Sequence, residues 1–274
     1  MKTLLSAVAV AATLGAGSVQ AEIERHHFDV QSEPGIELQV REVTDTQAAD
    51  DKPPVILLHG ARAPGAASFD LPVDGGSLAA DLARAGHRVF VMDARGYGGS
   101  TRIGQDGARQ GAPLVNSYEV VRDIHAVVEA VKERTAASQA ALLGWATGGH
   151  WAGMYASLYP DAVNHLVIYN ALYGAHDVHE HLGRGTFMSD PNDPDRFNIE
   201  RFGAYRLNTA ASLLPSWDRA IPVEDKTEWR DPEVAAAYQQ AALASDPTSQ
   251  SRNPPSFRAP SGAMEDSFYL ALGR

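Results

Sequence analysis

The residues closest to chemistry in this sequence are Gly144-Trp145-Ala146-Thr147-Gly148. An apolar run, Ala140 to Leu143, stops at Gly144, and a helix-compatible segment from His150 to Tyr159 follows at once. Gly-x-Ala-x-Gly at such a junction has the spacing of a nucleophile elbow, where a Ser on a strained turn attacks a carbonyl carbon. The flanking glycines relieve crowding around that turn. Position 146 holds Ala, and a methyl group cannot attack. The motif therefore states a scaffold and lacks its reactive atom.

Other chemistries are weaker. The chain has no Cys, which removes thiolate catalysis and Cys-ligated zinc and leaves no disulfides. His176, His179 and His181, with Asp177 and Glu180, make a ligand-like cluster in which His176 and His179 would share a helix face. No distant fourth ligand declares itself, so a solvated surface is the better reading, and neither metal nor cofactor is expected. Thr147 as a substitute nucleophile fails because its hydroxyl is off the apex and no base is at hand. His59, Arg62, Trp145 and His150 are candidates for lining a substrate pocket, with Asp70 at its rim. Asp93 and Arg95 read as residues that tie a turn.

The elements that must position these residues are legible. His27–Val30 and Ile36–Val40 alternate apolar and polar residues around Pro34-Gly35, which predicts a hairpin at a sheet edge. Pro54–Leu58, Arg88–Met92, the run before Ala146 and Val163–Tyr169 are short apolar strands of the kind buried in a parallel sheet. Ser77–Ala85 predicts a helix ending at Gly86. Ser117–Thr135 predicts a longer one, with apolar residues at helical period and Asn116 or Ser117 as its cap. Alternating strands and helices give an α/β class with a mostly parallel sheet. From Ala175 to Pro260 the chain turns polar and Pro-rich, with helical patches at Arg196–Leu214 and Pro232–Leu243. A last helix is expected from Gly262 to Leu272.

Met1-Lys2, the apolar stretch Leu4–Gly15 and Val19-Gln20-Ala21 predict a secretory signal peptide cleaved after Ala21, and so a secreted or periplasmic protein. The apolar run is short for a bilayer span. A net charge of −11 gives no electrostatic footprint for nucleic acid or anionic membrane. Oligomeric state is not legible.

Three motifs at strand ends, in order, resemble the α/β-hydrolase family. These are His59-Gly60-Ala61, then Asp93-Ala94-Arg95-Gly96-Tyr97-Gly98-Gly99-Ser100, then the Gly144–Gly148 elbow. The resemblance covers roughly Phe28 to Tyr173. After the signal peptide read at 1–21, it implies a hydrolase core at 22–174, a helical cap at 175–261, and a terminal helix at 262–274 leading to core strands beyond the chain. It also implies that the backbone N–H groups of Ala61 and Thr147 form an oxyanion hole. The family's acid and base follow the cap, whereas all ten His lie at or before His181, and Asn170 stands where an earlier acid would fall. The expected function is that of a hydrolase acting on a small-molecule ester or amide through a serine acyl-enzyme, silent here at position 146. The alternative is a non-catalytic ligand-binding member of the fold. A chain ending at Arg274 is expected to leave Val163–Tyr169 as an uncovered edge strand.

Overall fold

The computed structural model describes residues 23–172, 174, 179 and 181–274. The expected signal segment at 1–21 lies outside these residues. So do His176, Asp177 and Glu180.

The strands β1 (Ile23–Glu33) and β2 (Ile36–Asp45) form the expected hairpin, longer at both ends than the alternating residues. There follow β3 (Val55–Leu58), the short helix α1 (Gly65–Phe69), α2 (Leu78–Arg84), β4 (Val89–Met92) and α3 (Ser117–Thr135). Next come β5 (Ala140–Trp145), α4 (Thr147–Leu158) and β6 (Val163–Tyr169). The main sheet has the order β1-β2-β4-β3-β5-β6. Its first three strands pair antiparallel, and β4, β3, β5 and β6 run parallel, as the crossovers through helices require.

Alternation along the strands divides the core into two faces. Ile56, Leu58, Phe90, Met92 and Leu142 meet α3 and α4, whereas Val55, Leu57, Val89 and Val91 meet α1 and α2. Asn116 caps α3 in a reciprocal box with Glu119, which satisfies otherwise orphaned N–H groups. Val120, Val121, Ile124, Val127, Val128 and Val131 of α3 are all buried. Each contributes about 1.5–3 kcal/mol relative to exposure, so this stripe fixes the helix on the sheet. Asp123, on the same buried side, pairs with Arg95.

The later chain corrects one expectation. Arg196–Leu214 is not a helical patch: it breaks into α5 (Ile199–Phe202), the strand β7 (Tyr205–Asn208) and a short turn at Ala210–Ser212. Gly203, at φ 61, ends α5, and the next residues gain ladder partners instead. After α6 (Pro215–Ala220) and α7 (Pro232–Ala244), β8 (Phe257–Pro260) pairs antiparallel with β7. The last helix, α8 (Gly262–Ala271), packs Ala263 and Met264 into the core on the α3–α4 side.

At the far edge of the main sheet β6 is open to solvent. Leu166, Val167, Ile168 and Tyr169 are 40%, 49%, 40% and 64% exposed. Among the described residues no strand pairs with its outer side. No described helix is long and apolar enough to cross a membrane.

Candidate functional site

Ala146 sits between β5 and α4 at φ 53 and ψ −121, a conformation that residues with a Cβ rarely adopt. Two glycines make the turn feasible. A Cβ on Gly144 would lie 2.2 Å from the Gly148 carbonyl oxygen, and one on Gly148 would lie 2.1 Å from the Leu58 oxygen. No side chain fits in either place, so the Gly-x-Ala-x-Gly spacing is a direct consequence of β5 and α4 meeting against β3. The Ala146 N–H donates to the Tyr169 carbonyl at 3.0 Å, and Gly149 N–H donates to the Ala146 carbonyl at 2.9 Å. The apex is therefore pinned on both sides.

The loop after β3 stands beside this apex: a Cβ on Gly60 would lie 3.3 Å from the Ala146 Cβ. Among the described residues neither the Ala61 N–H nor the Thr147 N–H has an acceptor. Thr147 is the first residue of α4, where an N–H has no partner within the helix.

His59 lies beneath the loop at 1% exposure, so its ring presents no surface to a ligand. Its Nε2 accepts the Ala94 N–H at 3.1 Å, which leaves Nδ1 as the protonated nitrogen that donates to the Gly60 carbonyl at 2.7 Å. Burial lowers its pKa, against the nearby Asp93 charge. The ring is a neutral tie between two loops.

His150, one turn into α4, has Nδ1 3.4 Å from the Ser267 hydroxyl of α8, and its buried Nε2 has no partner. Burial lowers its pKa to about 4, so it is neutral at physiological pH. Trp145 points to the other side of the sheet. With Leu143, Val167, Tyr169, Trp217 and Tyr238 it borders a cavity of about 960 Å³ beside α1, α6 and α7. Trp217 lies 6.3 Å from Trp145 and stacks on Tyr238 at 5.3 Å.

Asp93 and Arg95 tie the turn after β4. The Asp93 carboxylate accepts the Gly65 and Gly99 N–H groups at 2.7 and 3.0 Å. Arg95 forks onto Asp123 and also reaches Glu33, at 2.9 Å. Asp70 is no rim residue: it is 3% exposed and clamps Arg25, Arg41 and Ser77. The His179 Nδ1 accepts the His181 and Leu182 N–H groups at 3.1 and 3.0 Å, which uses the lone pair that a metal would need there.

Sequence reasoning did not single out the side chains that hold the Ala61 carbonyl. Tyr97 donates its hydroxyl to that oxygen at 3.1 Å, and Arg206 of β7 donates Nη2 to the same atom. Burial pushes the Tyr97 pKa up to about 12, so the phenol stays protonated. Burial pulls Arg206 down to about 10, which leaves it a cation at neutral pH. Tyr97 was available in the turn motif; Arg206 carries no local signal, because 145 positions separate it from Ala61. Arg62 donates to the Ser212 carbonyl and hydroxyl at 2.7 and 3.0 Å.

Comparison with known proteins agrees with this architecture. The family model described as alpha/beta hydrolase fold matches residues 53–213, more than half of the chain. A 2-hydroxy-6-oxononadienedioate/2-hydroxy-6-oxononatrienedioate hydrolase from Paraburkholderia phymatum is 35% identical over 140 residues. The like-named protein from Burkholderia vietnamiensis is 34% identical over 140 residues. Each match covers 50% of this chain and 41% of the relative, so the chain matches less than half the length of either. Among solved structures, a thioesterase domain from the curacin biosynthetic pathway aligns at 16% identity over 80% of this chain and 65% of its own, with a TM-score of 0.49. An epoxide hydrolase from Vigna radiata aligns at 20% identity over 64% of this chain and 42% of its own, with a TM-score of 0.39. With its elbow, its loop after β3 and its parallel sheet in this order, the chain belongs to the α/β-hydrolase family.

Proposed function

We propose that this chain carries the carbonyl-binding part of a serine-hydrolase site and, with Ala at 146, holds a small carbonyl compound without turning it over. The observation that carries this reading is the backbone of Ala146. A conformation that costs about 1–3 kcal/mol is kept at φ 53 and ψ −121 although no reactive side chain is there to use it. The two N–H groups of Ala61 and Thr147 support the same reading as oxyanion donors, Thr147 from a helix N-terminus. Loss of one such donor typically lowers a rate by about 10²–10³, so these groups are substantial equipment.

With Ser at 146, the hydroxyl oxygen would attack the carbonyl carbon of an ester or amide. The negative charge would form on the carbonyl oxygen, within reach of the two N–H groups, and its collapse would break the bond to the leaving alcohol or amine, with solvent water taking the hydroxyl proton. A base for the hydroxyl proton is not at hand among the described histidines near the elbow. His59 has both nitrogens engaged, and His150 directs Nδ1 at Ser267. Relatives named as oxo-dienedioate hydrolases support a small carbonyl ligand, and the choice of ligand is part of the proposal.

The test is to expose the unaltered protein and Ala146→Ser to p-nitrophenyl acetate and follow them by intact mass. Ala146→Ser should gain one acetyl group per chain, slowly, and the unaltered protein none. Turnover by the unaltered protein, or an inert Ala146→Ser that is folded, would sink the reading.

Export is part of the same proposal and rests on the sequence of Met1–Ala21. A periplasmic or secreted product beginning at Glu22 supports it; an intact Met1 in the cytoplasm counts against it.

A further inference from the structure

The chain has 34 acidic against 23 basic residues, so most of its cations have a carboxylate nearby. Buried arginines follow that pattern: Arg95 meets Asp123 at 2.6 Å, and Arg258 meets Asp106 at 2.6 Å. Arg62 and Arg206 do not. Among the described residues neither has a carboxylate within ion-pair distance, and each is partly buried. They also belong to one corner of the fold, since Arg206 donates to the carbonyl of Ala61, the residue before Arg62.

A second observation comes from the same strand. Arg206 and Asn208 are two apart on β7 and so project to one side of it. Asn208 is 7% exposed, and its buried Nδ2 has no acceptor. The Arg206 Nε is likewise buried without an acceptor. Four residues beyond Asn208, Ser212 receives Arg62. The unmet groups here are all donors, and buried donors left without acceptors are costly. What completes them is an acceptor with negative charge.

We propose that Arg62, Arg206 and Asn208 form a subsite for the carboxylate of an acidic small molecule whose carbonyl group lies against Ala146. This rests on the reading that a small carbonyl compound occupies the site, and it adds the class of that compound. The placement fits. Arg206 holds the Ala61 carbonyl, and Gly60, the next residue back, is the one that crowds the Ala146 methyl. A carboxylate between the guanidinium groups is thus only a short carbon chain away from the elbow. A carboxylate suits a guanidinium because its two oxygens accept charge-assisted bonds from fixed N–H groups.

The experiment compares levulinate, a keto acid, with methyl levulinate, which has the same skeleton without the charge. Dissociation constants are measured by ligand-observed NMR on the full chain, on Arg62→Gln and on Arg206→Met. The unaltered protein should bind the acid at least about tenfold more tightly than the ester, the scale of one hydrogen bond to a charged group. Each variant should bring that ratio close to one. Arg62→Gln keeps the test decisive if Arg206→Met fails to fold. Equal affinities for acid and ester, a preference that survives in Arg62→Gln, or no binding of either compound would overturn the subsite. Acetylation of Ala146→Ser reports separately on the carbonyl site. If it proceeds while the acid shows no preference, only the subsite falls. If it fails while an Arg62-dependent preference for the acid persists, the subsite stands and the carbonyl reading falls.

Discussion

The Nδ1–H of His59 donates to the carbonyl of Gly60 at 2.7 Å, and this bond sets the direction of a group on the next residue. A trans peptide is planar, with its N–H pointing opposite to its C=O. Fixing the Gly60 carbonyl therefore fixes the Ala61 N–H, which points away from the buried ring. The Ala94 N–H on Nε2 secures the tautomer that makes this possible. His59 is thus a positioning residue in the proposed site. His59→Leu removes both bonds and leaves two backbone groups unpaired, at about 1–3 kcal/mol each. In the Ala146→Ser background it should also slow acetylation by about 10²–10³, the effect of losing one oxyanion donor. Trp151→Phe, a packing change against the same ring, is the control. Acetylation followed by intact mass, at a temperature where both variants are folded, decides; equal rates would remove the positioning role.

Replacing Ala by Gly usually destabilises a protein, because Gly has more freedom to lose on folding, by about 0.5–1 kcal/mol. Position 146 should be an exception. The φ of 53 and ψ of −121 strain any residue with a Cβ, and Gly releases that strain. Ala146→Gly is therefore expected to keep or raise the melting temperature. Ala152→Gly, at a fully buried position inside α4, is expected to lower it. A clear loss of stability in Ala146→Gly would show that the elbow carries no strain.

The sequence makes some of this plain and hides the rest for physical reasons. The span of α3 is readable because Asn116 and Glu119 cap it and its valines keep a helical period. The strands β3 and β4 are readable because burial on both faces demands continuous apolar runs. By contrast α1 is five residues in a Gly- and Pro-rich loop, too short for any period to show. The strand β7 exists because Phe257–Pro260 comes to meet it, and nothing within Tyr205–Asn208 announces that partner. Ala146 and its neighbours could be found because the elbow is a local motif. Arg206 and Asn208 could not, since what marks them, a buried Nε and a buried Nδ2 left without acceptors, is a property of the assembled fold.

His150 gives a pH prediction with a definite sign. Its ordinary pKa is 6.5, and burial lowers it to about 4 in the folded chain. Between those values the unfolded chain binds a proton that the folded one excludes, so stability is full above about pH 6.5 and falls as pH drops toward 4. The loss is roughly 3 kcal/mol at most. Glu265 and Asp266 on α8 are raised by burial and act in the opposite sense, and His59 acts in the same sense. All three are common to the protein and to His150→Leu, so the difference between the two isolates His150. The fall in melting temperature from about pH 7 to about pH 4.5 should be smaller in His150→Leu. An identical fall would mean that His150 is not held neutral by burial.

The exposed edge of β6 should govern self-association. Its outer backbone groups have no strand partner among the described residues, and Val167 is 49% exposed beside them. Natural edge strands are protected from pairing by charge, Lys above all. Along Val163–Tyr169 the polar side chains are Asn164 and the exposed His165 near its start and Tyr169 at its end, none carries the charge of a Lys, and the exposed run Leu166–Ile168 between them is wholly apolar. Val167→Lys places a charge in that run. It should suppress the concentration-dependent oligomers expected for the unaltered chain in light scattering. Leu78→Lys changes a residue of similar exposure, 40%, on a helix that offers no free ladder, and should leave the oligomers in place. If both variants act alike, general surface hydrophobicity is responsible and the strand edge is not. If the unaltered chain stays monomeric at high concentration, β6 is protected by something other than its side chains.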